Sequence, residues 1–180
     1  MEEEGGAWYA LQVFHGREEV QSSHLSSQGW EVFLPRRYEE RPDASGRVRR
    51  RLVPAVRNLL FVRCPSGGEL RLRSALQSSP YASRVYETLS GHWCRISSAE
   101  MSQLRAVSDP SYRDTLYVEA DSPVARRGSL VRVVRGPFAG LEGRLVRYRK
   151  RSYVVLTLSA LGVLVHVPKW YCRPMEGGKD

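Results

Sequence analysis

Four short valine-rich runs constrain the fold of this chain more than any other feature. They read SLVRVV, GRLVRYR, SYVVLTL and GVLVHVP, and Gly, Pro or basic residues separate them between residues 128 and 168. Short β-branched runs at this close spacing are typical of antiparallel strands in a small barrel. The sequence therefore predicts a small C-terminal β-barrel over residues 123–176.

The loop between the first two runs has an unusual composition. RGPFAGLEGRLV, residues 135–146, places three glycines and a proline around Phe138. Glycine tolerates positive φ and proline fixes its own φ, so this loop is expected to hold a defined shape. Two interpretations stay open: Phe138 points outward to contact another molecule, or it folds back and caps the barrel.

The N-terminal half mixes strands with helices. WYALQVF, residues 8–14, alternates as a strand with one face in a core. LLFV, residues 59–62, is typical either of a strand buried on both faces or of a strand with an apolar face used for binding. After Gly16 the stretch REEVQSSHLSSQG has acidic residues near its start and a glycine at its end, which predicts a helix whose apolar face has only Val20 and Leu25.

Two further helices are predicted before residue 108. The first is GELRLRSALQSS, and the second is SSAEMSQLRAVSD, in which Ser97 and Glu100 form a capping-box pattern ahead of an apolar repeat. The intervening segment, 81–96, reads as strand material. Residues 109–122 are polar and proline-bearing without a clear period, which predicts a linker between two domains.

The chain is strongly basic, with a net charge of +9 and an isoelectric point near 9.9. Part of this charge lies in a predicted hairpin whose turn is RPDASGR and whose return arm begins with Arg47, Arg49, Arg50 and Arg51. Basic faces bind nucleic acid through counterion release, so phosphates are the expected ligands of these arginines. A solvated hairpin without a partner is the competing interpretation.

Several classes of function lack support in the sequence. The three cysteines are far apart, the four histidines are scattered, and no catalytic triad or paired-carboxylate spacing is present, so we expect no catalytic residue, no metal and no cofactor. The N-terminus MEEEGGAW has no secretory h-region, and the most apolar window is shorter than the roughly 20 residues a spanning helix needs. A cytoplasmic monomer without a membrane span is expected.

Two segments resemble a known family. From Gly128 the chain resembles the KOW motif, G-x-x-V-x-V-x-x-G-P-F-x-G-x-x-G-x-V, with matches at Gly128, Val131, Val133, Gly136, Pro137, Phe138, Gly140 and Gly143; Leu145 stands at the final valine position and Val146 directly after it. WYALQVF, the arginine-rich hairpin and VPAVRNLLFVR resemble the NusG N-terminal (NGN) domain, the module that binds RNA polymerase. The order of the two is that of NusG/RfaH-type transcription elongation and antitermination factors, especially their specialised paralogs.

This resemblance implies an α+β fold in two domains. Residues 1–108 would form an NGN-type α/β sandwich, an antiparallel sheet flanked by helices, and residues 123–176 an SH3-like KOW β-barrel. The first domain would bind the RNA polymerase clamp through Asn58, Leu59 and Phe61. The stretch PAVRNLLFV departs from the family at Arg57, which replaces a proline, and at Leu59, which replaces an aromatic residue. In the competing interpretation Leu59 and Phe61 lie under a helix.

The resemblance also implies the remaining partners. A closed clamp would suppress pausing or termination, and the hairpin arginines would meet upstream or non-template DNA. The KOW domain would recruit a ribosomal protein or a termination factor through Phe138, Arg147, Arg149 and Lys150. The alternative function is that of a KOW-containing ribosomal or RNA-binding protein, which would not need a polymerase-binding module.

Overall fold

A computed structural model describes residues 5–158 and 161–175. The chain divides into two compact units, Met1–Met101 and Ser102–Asp180, and each is described by itself. The turn predicted between the last two valine-rich runs includes residues 159–160 and therefore lies outside the described residues.

The N-terminal unit is built on an antiparallel sheet. Its strands are β1 (Ala7–Val13), β2 (Glu31–Phe33), β5 (Leu59–Cys64), β6 (Ser83–Val85) and β7 (Arg95–Ile96). The order is β2-β5-β1-β6, and β7 also pairs with β1. In the central pair, Tyr9 lies opposite Val62 and Leu11 lies opposite Leu60. Two of these strands, β1 and β5, were expected from their apolar patterns.

Two helices pack on one face of this sheet. They are α1 (Glu18–Ser27) and α2 (Glu69–Ser78). Leu25 of α1 and Leu72 of α2 are fully buried in a single cluster with the sheet residues Tyr9, Leu11, Val13, Leu60, Val62 and Val85. Burying each such aliphatic side chain stabilises the fold by about 1.5–3 kcal/mol, so this cluster is the main core of the unit.

The sequence prediction for β1 and for the face of α1 needs correction. β1 was expected to bury one face, yet Trp8 and Ala10 on its other face are also buried. Val20 was expected on the apolar face of α1, but it is 37% exposed, whereas Gln21 is fully buried. The Gln21 amide donates to Ser83 Oγ at 2.8 Å and accepts from Ser79 Oγ at 2.7 Å. These bonds make a polar residue tolerable in the core.

The predicted hairpin is a separate two-stranded sheet, β3 (Arg36–Pro42) and β4 (Val48–Pro54). The sequence suggested one long hairpin running into LLFV. Instead the long arms are divided: β2 and β5 pair in the main sheet, and β3 and β4 pair only with each other. The charged strands β3 and β4 thus form a sheet separate from the apolar strands β2 and β5, in line with the predicted division between a charged tip and an apolar base.

The predicted capping box of α3 (Ser98–Val107) is confirmed. The Ser97 backbone N–H donates to the Glu100 carboxylate at 2.8 Å, and the Glu100 N–H donates to Ser97 Oγ at 3.2 Å. These reciprocal bonds satisfy donors that a helix start leaves unpaired. Met101, Leu104 and Val107, the predicted apolar repeat, are all buried.

The C-terminal unit contains a six-stranded antiparallel sheet. Its strands are β8 (Leu116–Glu119), β9 (Ser129–Val133), β10 (Glu142–Tyr148), β11 (Arg151–Leu158), β12 (Leu161–His166) and β13 (Cys172–Pro174), in the order β13-β9-β10-β11-β12-β8. A short helix, α4 (Pro123–Arg126), buries Ala125 against β10, β11 and β12. All four valine-rich runs form strands, as predicted.

The segment predicted as a linker, 109–122, is partly strand. Within it β8 pairs with β12, with Val118 opposite Gly162 and Leu116 opposite Leu164. Leu116 and Val118 pack against the cluster that contains Val155 and Leu164. β8 has only four residues and one half-buried face. Its alternating pattern is therefore too short to distinguish the strand from a polar loop by sequence.

Candidate functional site: the β5 start, the arginine hairpin and the C-terminal loops

Leu59 and Phe61 are not surface residues in this structure. Leu59 is 4% exposed and Phe61 is fully buried, on the face of β5 opposite Leu60 and Val62. The Phe61 ring lies beside that of Phe33, with centroids 6.3 Å apart. Their burial disagrees with an exposed patch on this face of β5, whereas the contact of Asn58, Leu59 and Phe61 with RNA polymerase stays a prediction.

Asn58 holds the start of β5 to the start of α1. Its φ is 62°, and its side-chain oxygen accepts a hydrogen bond from the Gly16 backbone N–H at 3.1 Å. Its backbone N–H donates to the Glu18 carboxylate, and its carbonyl accepts from Val13 N–H at 2.9 Å. Asn tolerates the left-handed region better than most residues. This geometry gives Asn58 a structural role that the sequence pattern did not reveal.

The four hairpin arginines do not form one surface. In the β3–β4 ladder, Arg41 lies opposite Arg49 and Glu39 opposite Arg51, whereas Arg50 lies opposite Glu40. Because side chains of successive strand residues point to opposite faces, Arg49 and Arg51 share one face and Arg50 lies on the other. Arg47 belongs to the turn. The run of arginines in the sequence could not reveal this division without the register.

The first face of the hairpin borders an open groove in the N-terminal unit. Arg37, Arg41, Arg51 and Arg57 line it together with Glu18 and Glu39, and half-buried Val53, Pro54 and Ala55 form its apolar part. Arg41 pairs with Glu39 at 2.9 Å, and among the described residues Arg51 has no ionic partner. The groove therefore presents unpaired positive charge beside an apolar loop.

The second face carries an exposed aromatic residue. The Arg50 guanidinium lies 3.7 Å from the centre of the Tyr38 ring, and Tyr38 is 45% exposed. Leu52, opposite Tyr38 in the ladder, is 38% exposed. A guanidinium stacked on an aromatic ring is an arrangement that also accepts the flat face of a nucleobase. Tyr38 was not among the predicted site residues, although its place beside the arginine run was the signal available.

The hairpin turn is held by one carboxylate. Asp43 Oδ1 accepts from the hydroxyl of Ser45 at 2.6 Å and its backbone N–H at 2.9 Å, while Oδ2 accepts from Arg49 Nε at 2.8 Å. The Ser45 hydroxyl first, and Arg49 next, lower the pKa of Asp43 from 3.8 to about 2. Arg49 is thus engaged within the hairpin, which reduces its freedom to contact phosphate.

Phe138 neither extends freely into solvent nor caps the sheet alone. It is half-buried, and its ring centre lies 4.6 Å from that of Tyr112 at an interplanar angle of 60°. Both rings line a cleft with Thr115, Val165 and His166. Tyr112 lies in the segment predicted as a linker, so no sequence pattern indicated its contact with Phe138.

Arg149 and Lys150 form the two-residue turn between β10 and β11. Their φ values are 47° and 66°, and Tyr148 pairs directly with Arg151. Two left-handed residues in such a loop define a type I′ turn, which is normally occupied by Asn and Gly. Both residues are exposed, as is Arg147, so the predicted basic rim is accessible. The turn follows β10, whereas the Phe138 loop precedes it, and Arg151 beside the turn lies 3.9 Å from Asp114, which lines the Phe138 cleft.

In residues 5–158 and 161–175, no group of three or more His, Cys, Asp or Glu side chains is placed to hold a metal ion. No helix in the same residues is long and apolar enough to cross a membrane.

Comparison with known proteins identifies the family. A family model described as transcription termination factor nusG matches residues 6–105, which is more than half of the 180 residues. The matched stretch contains the whole main sheet of the N-terminal unit and the arginine hairpin. No curated protein matches the chain. The fold, mixed in the first unit and strand-rich in the second, agrees with the match, and the chain belongs to the NusG family of transcription factors.

Proposed function

We propose that this protein is a transcription elongation and antitermination factor of the specialised NusG type. Its N-terminal unit binds the clamp of RNA polymerase, and its C-terminal unit, a KOW-type β-barrel, recruits a further protein. The observation that carries this proposal is the NusG-family match over residues 6–105, which coincides with the N-terminal unit. The protein acts as a cytoplasmic monomer and without a catalytic group or cofactor.

The polymerase contact that we propose lies beside the buried strand β5. Leu59 and Phe61 are buried within β5, and the half-buried apolar stretch Val53 to Val56 runs from the end of β4 into the following loop, with Arg57 and Asn58 between it and β5. This loop borders the groove that Arg51 and Arg57 also line. An apolar centre with a charged rim is the usual anatomy of a protein interface, which supports the loop as the contact with the clamp.

Binding to one clamp state is sufficient for the proposed effect on transcription. A factor that binds the closed clamp more tightly than the open one shifts the population toward the closed state by its differential affinity. A tenfold preference is worth about 1.4 kcal/mol. Because pausing and termination need the clamp to open, this preference shortens pauses without any chemical step by the factor.

The hairpin supports contact with DNA near the polymerase. Arg47, Arg50 and Arg51 are exposed, and the strands that carry Arg50 and Arg51 pair only with each other. The seven arginines between residues 36 and 54 exceed the three carboxylates there, giving a local net charge of +4. Upstream or non-template DNA is the proposed ligand, held mainly through its phosphates.

The C-terminal unit supports recruitment through exposed basic residues and the Phe138 loop. Arg147, Arg149 and Lys150 surround one end of β10 and β11, and the half-buried Phe138 offers apolar surface together with Tyr112. An acidic surface on a ribosomal protein or termination factor fits this combination.

In vitro transcription with purified polymerase tests the proposal. The full-length protein is expected to shorten pauses and to increase read-through, whereas a Val53→Glu/Val56→Glu variant that remains folded is expected to lose the effect. Leu89→Glu is the matched control, because Leu89 is fully exposed and far from this loop in sequence. Unchanged pausing with the wild-type protein would refute the proposed function.

A further inference from the structure

The excess positive charge of this protein is concentrated in the C-terminal unit, not in the hairpin. Residues 1–101 carry a net charge of +2, because the acidic residues there nearly balance the arginines. Residues 128–175 alone carry nine basic residues and a single carboxylate, Glu142, for a net charge of +8. Nearly all of the total of +9 therefore lies on the strands from β9 to β13 and their loops.

Part of this charge lies on the outward face of β13, β9 and β10. Arg132 of β9 lies directly opposite Arg173 of β13 and opposite Glu142 of β10. Glu142 is occupied by Arg132, whose Nε donates to its carboxylate at 2.8 Å. Arg173 is exposed and has no ionic partner among the described residues, although it lies next to another arginine. Like charges placed opposite each other destabilise a sheet unless an anion lies over them.

An exposed tryptophan adjoins these arginines. Trp170 is 78% exposed and belongs to the 3-10 turn Lys169–Tyr171, which leads directly into β13. The turn is fixed to β9, because the Val134 N–H donates to the Tyr171 carbonyl at 2.7 Å. Arg173 follows Trp170 by three positions, so their Cα atoms are at most about 11 Å apart. Exposing an indole costs hydrophobic stabilisation that burial would provide. The ring contact that the structure gives Trp170 is with its neighbour Tyr171, whose ring centre lies 6.4 Å away, and it leaves most of the indole exposed.

We propose that this surface, formed by Trp170, Lys169, Arg132 and Arg173 and here called the Trp170 surface, binds single-stranded nucleic acid. The indole of Trp170 stacks on an unpaired base, and the cations bind the phosphates on either side. Sequence-tolerant stacking on an aromatic side chain within a basic groove is the usual way in which proteins hold single strands. The inference does not depend on polymerase binding, since it concerns other residues in the other unit.

The net positive charge of residues 128–175 favours nucleic acid over protein as the ligand of the Trp170 surface. An exposed tryptophan beside arginines also suits a protein interface, but nearly uncompensated charge of one sign over 48 residues matches a polyanion much better than an ordinary protein surface. Duplex nucleic acid satisfies the cations but keeps its bases stacked inside, so it leaves Trp170 unused. The combination of both features therefore selects a single strand.

Trp170 makes the proposal directly measurable. Trp8 and Trp30 are 4% and 7% exposed and Trp93 is half-buried, so the fluorescence change on base stacking comes mainly from Trp170. The full-length protein, without polymerase, is titrated with oligouridylate, oligothymidylate and duplex RNA of about 12 nucleotides. We expect quenching by both single strands and none by the duplex. Stronger quenching by oligouridylate would identify RNA as the preferred ligand, and stronger quenching by oligothymidylate would identify DNA.

Variants then separate stacking from charge in an anisotropy assay with a labelled strand. Trp170→Ala is expected to weaken binding by about tenfold or more, and Trp170→Phe by much less, because phenylalanine still stacks. Arg173→Gln is expected to weaken binding and to lower the slope of log affinity against log salt by about 0.7. Arg126→Gln is the matched control, because it removes one exposed arginine from α4, outside the Trp170 surface. This variant is expected to keep the stacking of Trp170 on the strand and the full fluorescence quenching.

Two results would overturn the inference. One is binding of single strands that is insensitive to Trp170→Ala while the protein remains folded. The other is equal binding of duplex and single strands without quenching. Failure to bind polymerase, by contrast, would refute the proposed function and leave this result unaffected.

Discussion

Asn58 shows how a single residue can be required by backbone geometry alone. Its positive φ and its bond to the Gly16 N–H place the loop before α1 against the start of β5. Asn58→Ala should cost about 1–3 kcal/mol in the free energy of unfolding, since it loses this bond and strains the left-handed conformation. Asn58→Gly should cost less, because glycine adopts positive φ freely.

Chemical denaturation of the three proteins, followed by far-UV circular dichroism, measures this difference. Alanine and glycine variants of equal stability would mean that the backbone conformation of Asn58 contributes nothing. An alanine variant as stable as the wild type would also contradict the role assigned to the side chain.

Phe61 gives a second test at the residue scale. Because it is fully buried on β5, Phe61→Ala should lower the free energy of unfolding by about 3–5 kcal/mol. Leu52→Ala on the exposed hairpin should change it by less than about 1 kcal/mol. Thermal and denaturant unfolding, read by the fluorescence of buried Trp8 and Trp30, distinguishes the two. A Phe61→Ala protein of near wild-type stability would mean that the Phe61 side chain is exposed in solution and not part of the core.

At the scale of elements, the hairpin turn has a defined dependence on pH. Bonds from Ser45 and Arg49 hold the pKa of Asp43 at about 2, below its ordinary value of 3.8. A carboxylate whose pKa is lowered by folding contributes stability above its unfolded pKa, and the contribution is lost as pH falls through the folded value. We therefore expect the hairpin to loosen between about pH 4 and pH 2.

Hydrogen exchange and an NMR titration of the Asp43 carboxyl group measure this transition. Exchange of the Arg47 and Gly46 amides should rise as Asp43 protonates, and Asp43→Ala should show fast exchange at every pH. A titration midpoint near 4 would mean that the Ser45 and Arg49 bonds do not persist in solution.

The elements differ in how far sequence could predict them. The valine-rich runs, the capping box of α3 and the hairpin were predictable, because local patterns of period two or 3.6 and turn residues specify them. The strand β8 was missed, since four residues with one half-buried face produce no distinctive pattern. The two buried faces of β5 also could not be inferred, because a run such as LLFV suits a central strand and an apolar surface equally.

The same limit applies to the candidate sites. The basic residues were recognisable from composition, but their division between two hairpin faces depends on the β3–β4 register. The contact between Phe138 and Tyr112 joins residues 26 positions apart, and no local pattern specifies such a pair. Local sequence patterns therefore predicted which strands and helices form. The positions of the candidate site residues depend on long-range pairing, which local patterns do not specify.

For the whole molecule, the two units have different electrostatic character. The N-terminal unit is nearly neutral apart from its hairpin, and it is the part that the NusG family model matches. The C-terminal unit carries most of the net positive charge and the exposed Trp170. Polymerase and upstream or non-template DNA are thus the proposed partners of the first unit, and single-stranded nucleic acid and a further protein are those of the second.

Direct association with RNA polymerase is the most direct test of the central claim. Full-length protein is mixed with assembled elongation complexes and separated by size-exclusion chromatography, with the Val53→Glu/Val56→Glu variant and the Leu89→Glu control alongside. The account predicts that the wild type and Leu89→Glu co-elute with the elongation complex and that the double variant does not. Elution of the folded wild-type protein apart from polymerase, at concentrations well above those of the complex, would contradict it.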